Sequence, residues 1–225
     1  MHPLVSYARK LCILIIRLLL ACGLVISARA AAPTVERTAA LSASEASAEI
    51  KKAVEDKGYR TALDDGWNAE FWFARALATS AKDAPGALYP ELTDGEFVGV
   101  VNFPKGSIDY RGQPIPAGSY TLRYQYLPQD ANHMGVSPNP DFVLAIPLAA
   151  DPDPAPQLPF KTLVSLSAKT TGTAHPAVIA MAPAEAPGTV EKDDQGLTVL
   201  TIEVSATASG KTEKLGIVLK GQASQ

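Results

Sequence analysis

The chain has 225 residues, with 20 Lys plus Arg against 23 Asp plus Glu, a formal net charge of −3, and only 2 cysteines. That mildly acidic balance argues against nucleic acid or an anionic lipid surface as partner, since both need a basic face. Both cysteines, Cys12 and Cys22, lie in the first 30 residues, so the chain beyond them has no disulfide framework, no thiol nucleophile and no thiolate zinc site.

The first 30 residues read as a secretory signal peptide. Arg9 and Lys10 precede an almost wholly apolar run from Leu11 to Ser27, and the small residues Ala28 and Ala30 flank Arg29 at the exit. Cleavage is expected after Ala30. Two other readings of the segment are a retained membrane anchor, against which Arg17 argues, and a lipoprotein signal lipidated at Cys22, to which Leu20 is a poor fit. Removal of the segment takes away Arg9, Lys10, Arg17 and Arg29 and no acid, so Lys plus Arg falls from 20 to 16 against 23 acids and the formal charge becomes −7. The remaining length suits one domain with a sizeable core.

From Ala31 to Ser42 the chain is small and polar, a flexible leader. A single β-rich domain is expected over 43–225. It opens with a short helix in "SASEASAEIKKAVEDKG": Ser42 and Glu45 have capping-box spacing, Ile50 and Val54 are the large apolar positions, and Gly58 is the stop. Asp65-Gly66 then predicts a hairpin with a type I′ turn between "YRTAL" and "NAEFWFARAL". A helix from Trp67 to Ala78 is the alternative, which the aromatic "FWF" disfavours.

Sixteen of the 18 prolines fall between Pro85 and Pro187. Proline stops helices and removes backbone donors, so the short apolar runs between them predict strands: "EFVGVVNF", "SYTLRYQYL", "DFVLAIPLA", "KTLVSLSA", "AVIAMA", "LTVLTIEVSA" and "KLGIVLK". In the second, Tyr120, Leu122, Tyr124 and Tyr126 share one face, and Thr121, Arg123 and Gln125 the other. The last two runs predict a terminal hairpin. "DPDPAPQLP" is a stiff connection read as a crossover between two sheets. The fold expected is therefore mainly β, an antiparallel β-sandwich with one short N-terminal helix.

"DYRGQPIPAGSYTLRYQYLP" carries a resemblance. Its core from Gly112 to Leu122 resembles a pattern in uncharacterised exported bacterial β-sandwich proteins, in which Pro-Ala-Gly makes a tight turn before an inward Tyr and Leu. The resemblance implies secretion and a β fold, and no activity.

The polar loop "LPQDANHMGVSPNPDF" holds the candidate ligand-binding residues Asp130, Asn132, His133 and Asp141. Their side chains suit zinc, manganese or calcium, but the spacing matches no ligand motif, and Asp, Asn, Gly and Pro also have turn chemistry that explains them without a ligand. No metal and no cofactor are expected. His175 precedes a proline and reads as a loop residue. The sequence has no Gly-x-Ser-x-Gly elbow, no phosphate loop and no His-Glu-x-x-His helix. Asp64-Asp65 and Asp193-Asp194 read as turn residues. Trp67, Trp72, Tyr110, Tyr120, Tyr124 and Tyr126 are either core or a stacking face for sugar or peptide.

The functional expectation is an exported, periplasmic or extracellular, non-catalytic binding or envelope-associated protein. Its partner would be carbohydrate or another envelope protein, with no nucleic acid and no membrane after signal cleavage. The alternative is a secreted metal- or carboxylate-dependent hydrolase using the 130–141 loop.

Overall fold

The computed structural model describes residues 32–80, 83–127, 135–207 and 210–221. Among these residues one mixed sheet carries eleven strands, and a two-stranded sheet sits beside it. The large sheet runs β1 (Thr34–Arg37), β2 (Tyr59–Ala62), β3 (Asn68–Phe73), β5 (Phe97–Phe103), β8 (Gly118–Tyr126), β9 (Asp141–Pro147), β10 (Ala177–Ala182), β13 (Thr212–Lys220), β12 (Thr198–Ala206), β11 (Thr189–Lys192). The short β4 (Ala76–Leu77) follows β3 in the chain yet pairs in parallel with the far end of β12, Ser205 opposite Ala76. The sheet therefore curls until its two halves share one core, in which Phe71, Leu122, Tyr124 and Val143 meet Leu200, Ile202, Leu215 and Ile217. The mainly β expectation holds. The pairing establishes one large mixed sheet with a small second sheet beside it.

The sheet turns at β10. Its first four residues pair with β9, from Ala177 opposite Ala145 to Ala180 opposite Phe142. Only Met181 and Ala182 pair with β13, opposite Ile217 and Gly216. Gly216 is required at this junction, because a Cβ there would lie 2.4 Å from the Ala182 carbonyl oxygen. Above the junction β10 and β13 part. The small hairpin of β6 (Ser107–Ile108) and β7 (Pro114–Ile115) takes over the exposed edge of β10: the Tyr110 N–H donates to Val178 O at 2.9 Å, and the Val178 N–H donates to the Asp109 carboxylate at 3.2 Å.

The Asp65-Gly66 hairpin forms, with Ala62 opposite Asn68. The Leu63 N–H also donates to Trp67 O at 2.9 Å, and Gly66 has φ +82°. The loop is thus three residues closed by a glycine in the left-handed region, rather than a two-residue type I′ turn. The N-terminal helix is shorter than expected. α1 spans Ala48–Ala53, and its cap is Ser47, whose Oγ accepts from the Ile50 N–H at 3.0 Å, in place of Ser42.

"KTLVSLSA" is not a strand. It lies in α2 (Phe160–Thr171), which starts after Pro159 and covers the outer face of β9 and β10. Its buried positions are Leu163, Ser167 and Thr170, a helical spacing in which two of three members are polar. Ser167 Oγ and Thr170 Oγ1 both donate to Ala145 O, at 2.7 and 2.9 Å, and Ser167 Oγ accepts from the Ala177 N–H. No helix among the described residues is long and apolar enough to cross a membrane.

"DPDPAPQLP" does not bridge two sheets. It folds over β8 and encloses Arg123, whose side chain is fully buried. Asp151 takes the guanidinium bidentately, Nε at 2.8 Å and Nη2 at 2.7 Å. Nη2 also donates to Asp153 O at 2.6 Å, and Nη1 reaches the carbonyls of Gly95, Pro154 and Pro156 at 3.2, 3.3 and 2.8 Å. All five guanidinium donors are used. A proline-rich segment suits this role, since it offers carbonyls without competing N–H groups.

Removing one member of a buried, fully hydrogen-bonded pair leaves the other charged and unmatched. Asp151→Ala and Arg123→Lys are each expected to lower unfolding free energy by about 3–5 kcal/mol. The check is a fall in urea midpoint at constant slope; a loss under about 1 kcal/mol would contradict this account of the pair.

Candidate functional site

A cleft of about 980 Å³ lies at one end of the curled sheet. Four turns and strand ends meet there, together with Pro33 just before β1. The β2–β3 loop supplies Leu63, Asp64 and Trp67; the segment after β5 supplies Lys105, Ser107 and Ile108; the end of β11 supplies Lys192; and the end of β13 supplies Leu219 and Lys220. The volume is in the range of small-molecule sites. A side crevice of about 20 Å³, room for about one water, continues from it into the gap where β10 and β13 part.

Trp67 is held in place from three sides. Its Nε1–H donates to Ser107 Oγ at 3.2 Å, its backbone N–H donates to Asp65 Oδ1 at 3.0 Å, and its ring lies 6.2 Å from that of Phe103. Ile108 is 58% exposed, although it is a large apolar side chain. Lys220 forms an ion pair with Asp65. That ammonium, with the Trp67 N–H, holds the Asp65 carboxyl below the usual carboxylate range. The ammonium groups of Lys105 and Lys192 have no ion-pair or hydrogen-bond partner among the described residues.

Of the residues expected to bind a ligand, Asp130, Asn132 and His133 lie outside the described residues, as do Ala28, Ala30 and Cys22. Asp141 is fully buried and structurally committed. Its carboxylate accepts from the Leu88 N–H at 2.7 Å, the Tyr89 N–H at 3.1 Å and Tyr124 Oη at 2.7 Å, which pins the 84–89 segment to β8 and β9. Tyr89 extends the clamp: its hydroxyl donates to Ala182 O at 2.5 Å and accepts from the Gly216 N–H at 2.8 Å, at the β10–β13 junction. Burial raises the Tyr89 phenol to about 12, and burial together with the Asp141 carboxylate raises that of Tyr124.

His175 is exposed in the turn after α2, where its carbonyl accepts from Thr171 and Thr173. Asp193 fixes its own turn by accepting from the Gln195 and Leu197 N–H groups. Among the described residues no three His, Cys, Asp or Glu gather at metal-binding distance. The aromatic set divides: Trp72, Tyr120 and Tyr124 are core, whereas Trp67 lines the cleft and Tyr110 its side crevice.

No family model, no curated protein and no solved structure matches this chain.

Asp141→Ala is expected to cost about 2–4 kcal/mol, because two buried N–H groups and a phenol lose their acceptor; denaturant unfolding measures it, and an unchanged midpoint would refute the clamp. Tyr89 also makes stability sensitive to alkali. Its folded pKa of about 12 exceeds the unfolded value of 10, so its contribution is intact below pH 10 and is lost as pH rises toward 12. Thermal melts should fall more steeply through that window in the native protein than in Tyr89→Phe.

Proposed function

We propose that this protein is an exported, non-catalytic binding module whose ligand occupies the cleft at the open end of the sheet. The observation that carries the reading is the pairing of an oriented indole, Trp67, with an exposed Ile108 across a concave surface. Exposed large apolar side chains in a concavity mark ligand or partner sites. The two large hydrophobics left open in the described residues are Ile108 and Phe160, and the first of them is here.

The polar groups around the cleft support binding rather than turnover. Ser107 Oγ takes the indole proton, Asp65 is paired with Lys220, and Asp109, buried at the crevice, accepts from the Arg111, Gln113 and Val178 N–H groups. Among the described residues no hydroxyl of the lining is hydrogen-bonded to a histidine or a lysine. The apolar, basic-headed first 30 residues support export, and the resemblance of Gly112–Leu122 to exported β-sandwich proteins agrees with it. On this reading the turn of the sheet at β10 is the corner of a sandwich-like two-layer arrangement.

The test is a fragment screen by NMR on the exported protein. Shift changes should cluster at 63–67, 105–108, 192–198 and 219–221, and Trp67→Ala should weaken each hit about tenfold or more. Hydrolysis of glycans or esters by the purified protein, lost in His133→Ala, would overturn the proposal in favour of a hydrolase acting through the 130–141 loop.

A further inference from the structure

We infer that the cleft selects an amphipathic anion, a ligand with one apolar tail and a carboxylate head. The inference rests on the binding role proposed above and adds the chemistry of the ligand. The apolar part of the cleft is Leu63, Trp67, Ile108 and Leu219. The charged part is lopsided. Three lysines, 105, 192 and 220, line it against the single carboxylate of Asp64. This is a local excess of cations in a chain whose formal net charge is −3.

The three ammonium groups are not equivalent. Lys220 is engaged by Asp65. Lys192 stands on the ridge between the cleft and a neighbouring acidic groove with Glu185, Glu191, Asp193 and Asp194, whose field offsets part of its charge. Lys105 does not line that groove and has no ion-pair partner among the described residues, so it carries most of the discrimination. A neutral ligand leaves these ammoniums solvated and gains nothing from them. A cationic ligand is repelled. A carboxylate head gains charge-assisted hydrogen bonds while its tail covers Trp67 and Ile108. The acidity of the whole molecule is no obstacle, because screening confines each charge to about 10 Å at ordinary salt.

The experiment is calorimetric titration of the full exported protein with three probes sharing one tail: dodecanoate, dodecyl maltoside and dodecyltrimethylammonium, each below its micelle concentration, with indole fluorescence in parallel. Dodecanoate should bind at one equivalent, shift the Trp67 emission, and weaken as salt rises. Lys105→Gln with Lys192→Gln should weaken it about tenfold, as expected for two exposed ion pairs, with Lys105→Gln giving the larger share. Binding of dodecyl maltoside, where present, should be unchanged by the lysine variants. Ile108→Asp, at an exposed position that leaves folding intact, should abolish dodecanoate binding. Equal binding of the three probes, or indifference to the lysines, would overturn the anion assignment and leave the binding site standing. Binding at many equivalents unaffected by Ile108→Asp would mean surfactant adsorption and overturn the assignment too. Silence from all three probes, with no hit in the fragment screen, would remove both readings.

Discussion

The interaction on which the rest of this structure depends is the burial of Arg123 on the outer face of β8. A guanidinium in a dry interior demands five acceptors, and β8 itself provides none. Asp151 and the carbonyls of Asp153, Pro154 and Pro156 meet the demand. Doing so fixes the path of the proline-rich segment across the sheet, and with it the place where Pro159 starts α2. That helix in turn covers β9 and β10, so the centre of the sheet is buried on both faces. Such a pair contributes less to net stability than to uniqueness of the chain path, because the desolvation of both charges offsets much of their attraction.

The same device recurs on a smaller scale. Asp109 and Asp141 are also buried carboxylates, and each accepts from a backbone N–H in a distant part of the chain: Asp109 from Val178, Asp141 from Leu88 and Tyr89. Beyond Cys22 the chain has no cysteine. Long loops that an exported protein often fixes with disulfides are fixed here by saturated aspartates. The cross-links are non-covalent and indifferent to redox conditions.

What was legible in the sequence followed from local rules. Alternation along β8 placed Tyr120, Leu122 and Tyr124 together in the core, and the last two apolar runs were readable as a terminal hairpin, which β12 and β13 form. What was not legible depended on burial of polar atoms. α2 hid because Ser167 and Thr170 occupy core positions that a hydrophobic period needs filled by carbon. Arg123 and Thr121 read only as the opposite face of β8, because nothing local announces that a proline-rich segment will cover them. Asp141 was expected at a ligand, but the two backbone N–H groups it accepts from lie more than fifty residues away and make it a clamp. The cleft was invisible for a related reason. Its residues come from five chain segments, each of which alone is an ordinary turn.

Pro33 and Gly221, near the two limits of the described chain, both line the cleft. The two limits of the described chain thus meet at this cleft. The exposed turn at Ala186–Gly188, at the opposite end of β11, is the place for a handle that leaves the cleft open.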